Sequence, residues 1–115
     1  MLFRSKERIG DATSGVPERT ILHGHTHLQY ERTVGDRRIV GPGSVGLPYT
    51  TGPFGARWAI LGPDVRLLTT EYDMAEAERR IEPLGYPNPK YLATLRRPPT
   101  PDDIILDAEA RQFSD

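Results

Sequence analysis

The chain has 115 residues, enough for one small domain or a piece of a larger one, and its 37% apolar and 27% charged residues describe a soluble globular protein. Fifteen basic against sixteen acidic residues leave a formal net charge of -1. No basic field is therefore present to hold a nucleic-acid backbone or an anionic membrane, and the absence of Cys excludes disulfides, thiolate metal sites and a cysteine nucleophile.

No apolar run approaches a membrane span, and the start MLFRSKERIG is too short in apolar residues for a signal peptide, so a cytoplasmic location is expected. Residues 1–19 have no clean hydrophobic period and read as an irregular lead-in. Thr20-Ile21-Leu22 is a short apolar strand. Leu28, Tyr30, Arg32 and Val34 alternate with Gln29, Glu31 and Thr33 as a second strand, and Gly35-Asp36 suits a two-residue type II′ turn into a returning strand, Arg37 to Val40. Gly41 to Gly46 is a glycine-rich loop continued by irregular chain to Gly55. A second hairpin joins Ala56–Leu61 to Val65–Tyr72 around Gly62-Pro63-Asp64, with Trp58 and Tyr72 as sheet-core aromatics.

Residues 74–115 read as helical. Asp73 caps a helix that has Glu76 at its third position, turns Met74, Ala75, Ala77 and Ile81 towards the core, and stops near Pro83-Leu84-Gly85. Asn88-Pro89 opens a second helix through Leu92 and Leu95. Thr100-Pro101-Asp102-Asp103 opens a third, with Ile104, Ile105, Ala108 and Phe113 as its apolar set.

The chemistry concentrates in residues 20–73, where all three histidines stand at His23, His25 and His27. An extended backbone would put these alternate positions on one face, and converging neutral imidazoles are how a protein offers nitrogen to a transition metal. Gly24 between the first two would allow close backbone approach. Two competing motifs fail. Gly41-x-Gly43-x-x-Gly46 matches a dinucleotide fingerprint, but Pro48 and Pro53 prevent the helix that must follow. Ser44 has Pro42 where a nucleophile elbow needs Gly, and reads better as a turn hydroxyl bonded to backbone.

Gly24-His25-Thr26-His27, followed by a hairpin and Pro42-Gly43-Ser44-Val45-Gly46, resembles the C-terminal half of the calcineurin-like metallophosphoesterases, closest to their small bacterial and archaeal phosphodiesterase branch. The likeness covers about Glu18 to Asp73. It implies an α/β fold, part of a four-layer α/β/β/α sandwich with its metal site at strand ends. It also implies that His25 binds one divalent ion and His27 the other, the ions being Mn, Zn, Ni or Fe and the substrate a phosphoester. His23 has no counterpart in that family, and Gly41 stands where the family's loop has Asn. The family's other motifs, Asp-x-His, Gly-Asp-x-x-Asp and Gly-Asn-His, are absent; the one carboxylate ahead of the histidines to consider as a bridge is Asp11. The resemblance therefore implies the C-terminal part of a hydrolase, inactive alone. The alternatives are a non-catalytic partner-binding module of the same fold and a single-metal site of His25, His27 and Glu31. A half-sandwich would expose a sheet face, through which self-association is expected.

Overall fold

The computed structural model describes residues 5–85 and 89–112. Helix α1 (Lys6–Thr13) occupies part of the stretch expected to be irregular. Ile9 is its one large apolar residue, so the sequence carries no period; Ser5 caps the first turn by accepting from the Arg8 N–H, and Ile9 is fully buried. Burial of Ile9 and, one turn on, of the polar Thr13, whose hydroxyl donates to Ile9 O, fixes this helix, and a polar residue leaves no apolar pattern to read.

Strands β1 (Thr20–Leu22), β2 (Gln29–Val34) and β3 (Arg37–Pro42) form a mixed sheet in the order β1-β3-β2, with β1 parallel and β2 antiparallel to β3. Val34 pairs with Arg37 across the expected two-residue turn. Gly35 there has φ +63° while Asp36 stays at negative φ, which excludes type I′ and agrees with II′. Along β2, Tyr30 and Val34 are buried while Glu31 and Thr33 face solvent, as the alternation predicts. The core gathers Ile9, Leu28, Tyr30, Val34 and Ile39, with Ile21, Tyr49 and Ile104 against it.

Strands β4 (Ala56–Leu61) and β5 (Val65–Thr70) make a separate antiparallel hairpin in the predicted register, Leu61 opposite Val65. Its aromatics are not the core residues expected. Trp58 is 38% and Tyr72 37% exposed, because none of the described elements covers that face. The Trp58 indole N–H donates to Thr70 Oγ1 at 2.9 Å, and Tyr72 meets Phe54 edge-on.

Helix α2 (Met74–Ile81) begins at Asp73, whose carboxylate accepts from the Glu76 N–H, and ends in a 3-10 turn (Glu82–Leu84) with Gly85 in the left-handed conformation. Glu76 does not reach back to complete a capping box; it pairs with Arg79 and Arg80. The apolar set is correct only in part. Met74, Ala77 and Ile81 are half-buried and Ala75 is exposed. Helix α3 (Pro89–Arg96) buries Leu95, and α4 (Pro101–Gln112) follows. Asn88 and Phe113 lie outside the described residues. Reciprocal bonds between Thr100 and Asp103 cap α4, which sets Ile104 against the core.

The fold is thus mixed α/β. It is also thin, 47 × 42 × 23 Å. Its radius of gyration is 16.2 Å, where a compact chain of this length has about 13 Å. Among the described residues, no helix is long and apolar enough to cross a membrane.

Candidate metal centre

The histidines do not lie on an extended strand. After β1 the chain leaves the sheet, and both His25 (φ +74°) and His27 (φ +58°) adopt the left-handed conformation. That region is disfavoured for any residue with a Cβ. Gly24, by contrast, has no positive φ, and a side chain there would meet open space, so its expected steric role is not the one it plays. A turn closed by Thr26 N–H to Gly24 O at 2.9 Å shapes the loop, and the Leu28 N–H points to Thr26 Oγ1.

The three imidazoles therefore have three different surroundings. His23 is consumed by structure. Its Nδ1 lies 3.0 Å from Gly24 O, and because a carbonyl only accepts, Nδ1 carries the proton and donates. Its Nε2 takes a short bond from the Tyr30 hydroxyl. Neither nitrogen is left for a metal. The role that the sequence left unassigned is to fasten the start of the loop to β2. Burial around Tyr30 pushes its phenol up to about 12, so the hydroxyl stays a donor.

His27 is held in the opposite sense. Its Nδ1 donates to Leu47 O at 2.9 Å, which fixes the tautomer and leaves the Nε2 lone pair without a hydrogen bond among the described residues. Metal-binding imidazoles are characteristically oriented by such a carbonyl on the other ring nitrogen. Tyr49 adds two contacts: its N–H donates to His27 O at 3.2 Å, and its ring stacks on the imidazole with centroids 4.9 Å apart. His25 is exposed and has no hydrogen bond among the described residues.

The glycine-rich loop is what grips His27. Ser44 Oγ accepts from the Leu47 N–H at 3.0 Å, and Ser44 O accepts from the Arg57 N–H at 2.9 Å, so Ser44 is the turn hydroxyl expected and not a nucleophile. Gly43 is required: at φ +94°, a Cβ would stand 2.5 Å from Arg57 Cβ. Gly41 is required too. A Cβ there would fall 2.7 Å from both Leu28 O and the Tyr30 ring, so the family's Asn has no room. The Arg57 guanidinium binds Thr69 Oγ1, Thr50 Oγ1 and Pro53 O, tying the rest of the loop to the second hairpin.

Other predicted ligands do not join the site. Glu31 turns to Arg38 at 2.9 Å on the solvent face of β2, and Asp11 is exposed on α1. Among the described residues, no three His, Cys, Asp or Glu side chains come together as a metal cage. His25, His27 and Glu31 are thus not gathered as a closed site in this structure. The donor set thus fits part of a metal site, with His27 oriented for it. Reasoning from sequence missed the Leu47 carbonyl and the Tyr49 ring. A backbone acceptor leaves no residue signature, and nothing local ties position 49 to position 27.

No protein-family model and no curated protein matches the chain. Among solved structures, it resembles the crystal structure of a hypothetical protein from Pyrococcus horikoshii OT3, with a TM-score of 0.65 at 21% identity. The likeness covers 80% of this chain and 37% of that one, so this chain spans little more than a third of its neighbour's length. At this identity the two share a fold.

Proposed function

We propose that this chain carries the histidine-bearing half of a two-metal phosphoesterase site, within a four-layer sandwich of which it contributes the C-terminal strands and helices. One observation carries the reading: in a left-handed turn, the Leu47 carbonyl holds Nδ1 of His27 and leaves Nε2 without a hydrogen bond among the described residues. His25, the other residue of the Gly-His-Thr-His motif, would hold the second ion. Divalent ions bound there supply Lewis acidity at the phosphoryl oxygen and an activated water for in-line attack. This chain's own contribution is to orient His27 through Leu47 and Tyr49. A cytoplasmic setting goes with this reading.

A site of two imidazoles is incomplete, so the 115-residue chain is expected to bind Mn²⁺, Zn²⁺ or Ni²⁺ weakly and to leave phosphoesters intact. Calorimetry should show metal binding that weakens in acid, as protons compete for the imidazoles, and that disappears in the His25→Ala, His27→Ala double variant. Joining an N-terminal half that carries Asp-x-His, Gly-Asp-x-x-Asp and Gly-Asn-His should produce Mn²⁺-dependent turnover of an aryl phosphodiester, lost again on His27→Ala. Unchanged metal binding in the double variant refutes the assignment. Robust turnover by the short chain alone refutes the half-site.

A second reading rests on the open edge of β1. Leu22 and Leu61 are 41% and 56% exposed beside it, a surface suited to a partner chain or a second copy whether or not metal binds.

A further inference from the structure

Arg57 is held only by neutral partners. Its guanidinium donates to Thr69 Oγ1 through Nη1, and to Thr50 Oγ1 and Pro53 O through Nη2. Among the described residues no carboxylate pairs with it. Its Nε is buried and has no hydrogen-bond partner. An N–H withdrawn from water without an acceptor is costly, and a cation withdrawn from water normally keeps a counter-ion. Of the five N–H donors that an arginine carries, three are used here, which leaves the Nε–H and one N–H of Nη1. The same side chain lines a cavity of about 170 Å³. Gln29 and Thr51 join Arg57 in its polar lining, and Leu28, Tyr49 and Pro101 make up its apolar lining.

We propose that this cavity binds a small organic oxyanion, its charged oxygens on Arg57 and the Thr51 hydroxyl and its short hydrocarbon part against Leu28, Tyr49 and Pro101. The site goes beyond the phosphoesterase reading and does not depend on it, because neither His25 nor His27 lines the cavity.

Charge, room and lining each narrow the ligand. No acidic residue lines the cavity, so the guanidinium sets its sign and a cation is disfavoured. The Nη1 bond to Thr69 lies at the exposed end of the side chain while Nε is buried, so an oxyanion meets Nη1 first. Because the guanidinium charge is delocalised, an anion at Nη1 also offsets the charge carried at Nε. Thr51 has no hydrogen bond among the described residues, so its hydroxyl is able to donate as well. Gln29 is a fixed wall: its amide donates to Trp58 O at 3.2 Å and to Leu68 O at 2.8 Å. A single water would satisfy one N–H but brings no charge, and its share of liquid volume, about 30 Å³, is a small part of the cavity. The apolar lining is of no use to a bare inorganic ion, whereas a short alkyl chain gains by covering it.

The test is an NMR titration of the full chain at constant ionic strength, with chelator present so that no metal enters the result. Propionate and propyl phosphate are the anionic probes, and propionamide is the neutral isostere of the first. The tighter-binding anion should exceed propionamide about tenfold or more, the factor expected for a hydrogen bond to a charged group. It should move the Arg57 Nε–H resonance and the amides of Tyr49 and Thr51, and leave the exposed Arg66 unmoved. Propionate binding more tightly marks the head group as a carboxylate, and propyl phosphate binding more tightly marks it as a phosphate; both support the site. Arg57→Gln should abolish saturable binding, and Arg57→Lys should keep part of it. Because Arg57 also ties the loop to the second hairpin, Thr51→Val is the variant that leaves those ties intact, and it should weaken the anion several-fold. Propionamide binding as tightly as both anions overturns the proposal. So does a folded Arg57→Gln variant or a Thr51→Val variant that binds as the parent does. The parent chain alone also decides it: an Arg57 Nε–H that stays put, or that moves no more than Arg66 does, removes the site.

Discussion

The sharpest expectation concerns His25→Gly, which should stabilise the fold while removing one of the two proposed metal ligands. His25 sits at φ +74° with no hydrogen bond to hold it there among the described residues. A left-handed residue with a Cβ costs about 1–2 kcal/mol, whereas glycine adopts that conformation freely. Against this gain, glycine adds unfolded-state entropy worth roughly 0.5–1 kcal/mol. The exposed imidazole contributes little packing that would be lost. The net is a stabilisation of about 0.5–1 kcal/mol, a rise of a few °C in Tm for a chain of this size. His25→Ala is the control, because alanine removes the imidazole but keeps the strain. Urea unfolding of the parent, the Ala variant and the Gly variant should place Gly above Ala by about 1 kcal/mol at unchanged m value. Both variants should lose metal affinity alike. A Gly variant no more stable than the Ala variant would refute the claim that the turn is strained, and with it the inference that the imidazole is kept for function.

Other expectations follow from the same contacts. Gly41→Ala should cost about 2–3 kcal/mol, since its Cβ would fall 2.7 Å from Leu28 O and from the Tyr30 ring, and the urea midpoint should drop accordingly; Gly41→Asn should be no milder. Tyr30, pushed up to about 12 by burial, stays protonated in the fold above the pH where an unfolded tyrosine ionises, near 10. Stability is therefore unaffected by this group below about pH 10 and falls as pH rises from there towards 12. Phenolate absorbance should show one late-titrating tyrosine, absent in Tyr30→Phe. Asp103 is held below its usual carboxylate range by the Thr100 N–H first and the Thr100 hydroxyl second. Its contribution is present above the unfolded value and lost as pH falls through the folded one, so amide protection of α4 should decline in acid, and Asp103→Asn should blunt that decline. Light scattering should detect self-association through the β1 edge that Leu22→Lys or Leu61→Lys reduces; a parent that stays monomeric at high concentration removes the expectation.

The strands were legible because their signals are local. Alternation at Tyr30 and Val34 placed one face of β2 inward, and Gly35 and Gly62 marked both hairpins. Asp73 and Thr100 announced their helices by cap chemistry alone. Helix α1 was illegible for the converse reason: it buries Ile9 and Thr13, and one large apolar residue with a threonine makes no hydrophobic period. Trp58 and Tyr72 misled because an aromatic strand reads the same whether or not anything covers it.

At the candidate site the residue types were legible and the geometry was not. Extended spacing suggested three matched imidazoles, but the backbone turns left-handed at His25 and His27 and gives His23 to Tyr30. The fold relates the two sequence motifs as holder and held. Gly-His-Thr-His supplies His27, and the loop from Gly43 to Tyr49 supplies its restraints: Leu47 O on Nδ1, the Tyr49 N–H on the backbone and the Tyr49 ring against the imidazole. Ser44 then fixes Leu47, and Arg57 fixes Ser44, while Gly43 lets the loop lie against Arg57 closely enough to do so. Gly43 and Ser44 of the second motif thus serve the placement of His27 in the first, through Arg57 and Leu47. The same arrangement also separates the two histidines. His27 is restrained from three sides by its own chain, whereas His25 lines a groove against α4 and has no hydrogen bond among the described residues, so under the proposed reading the placement of His25 is the one left to what binds there.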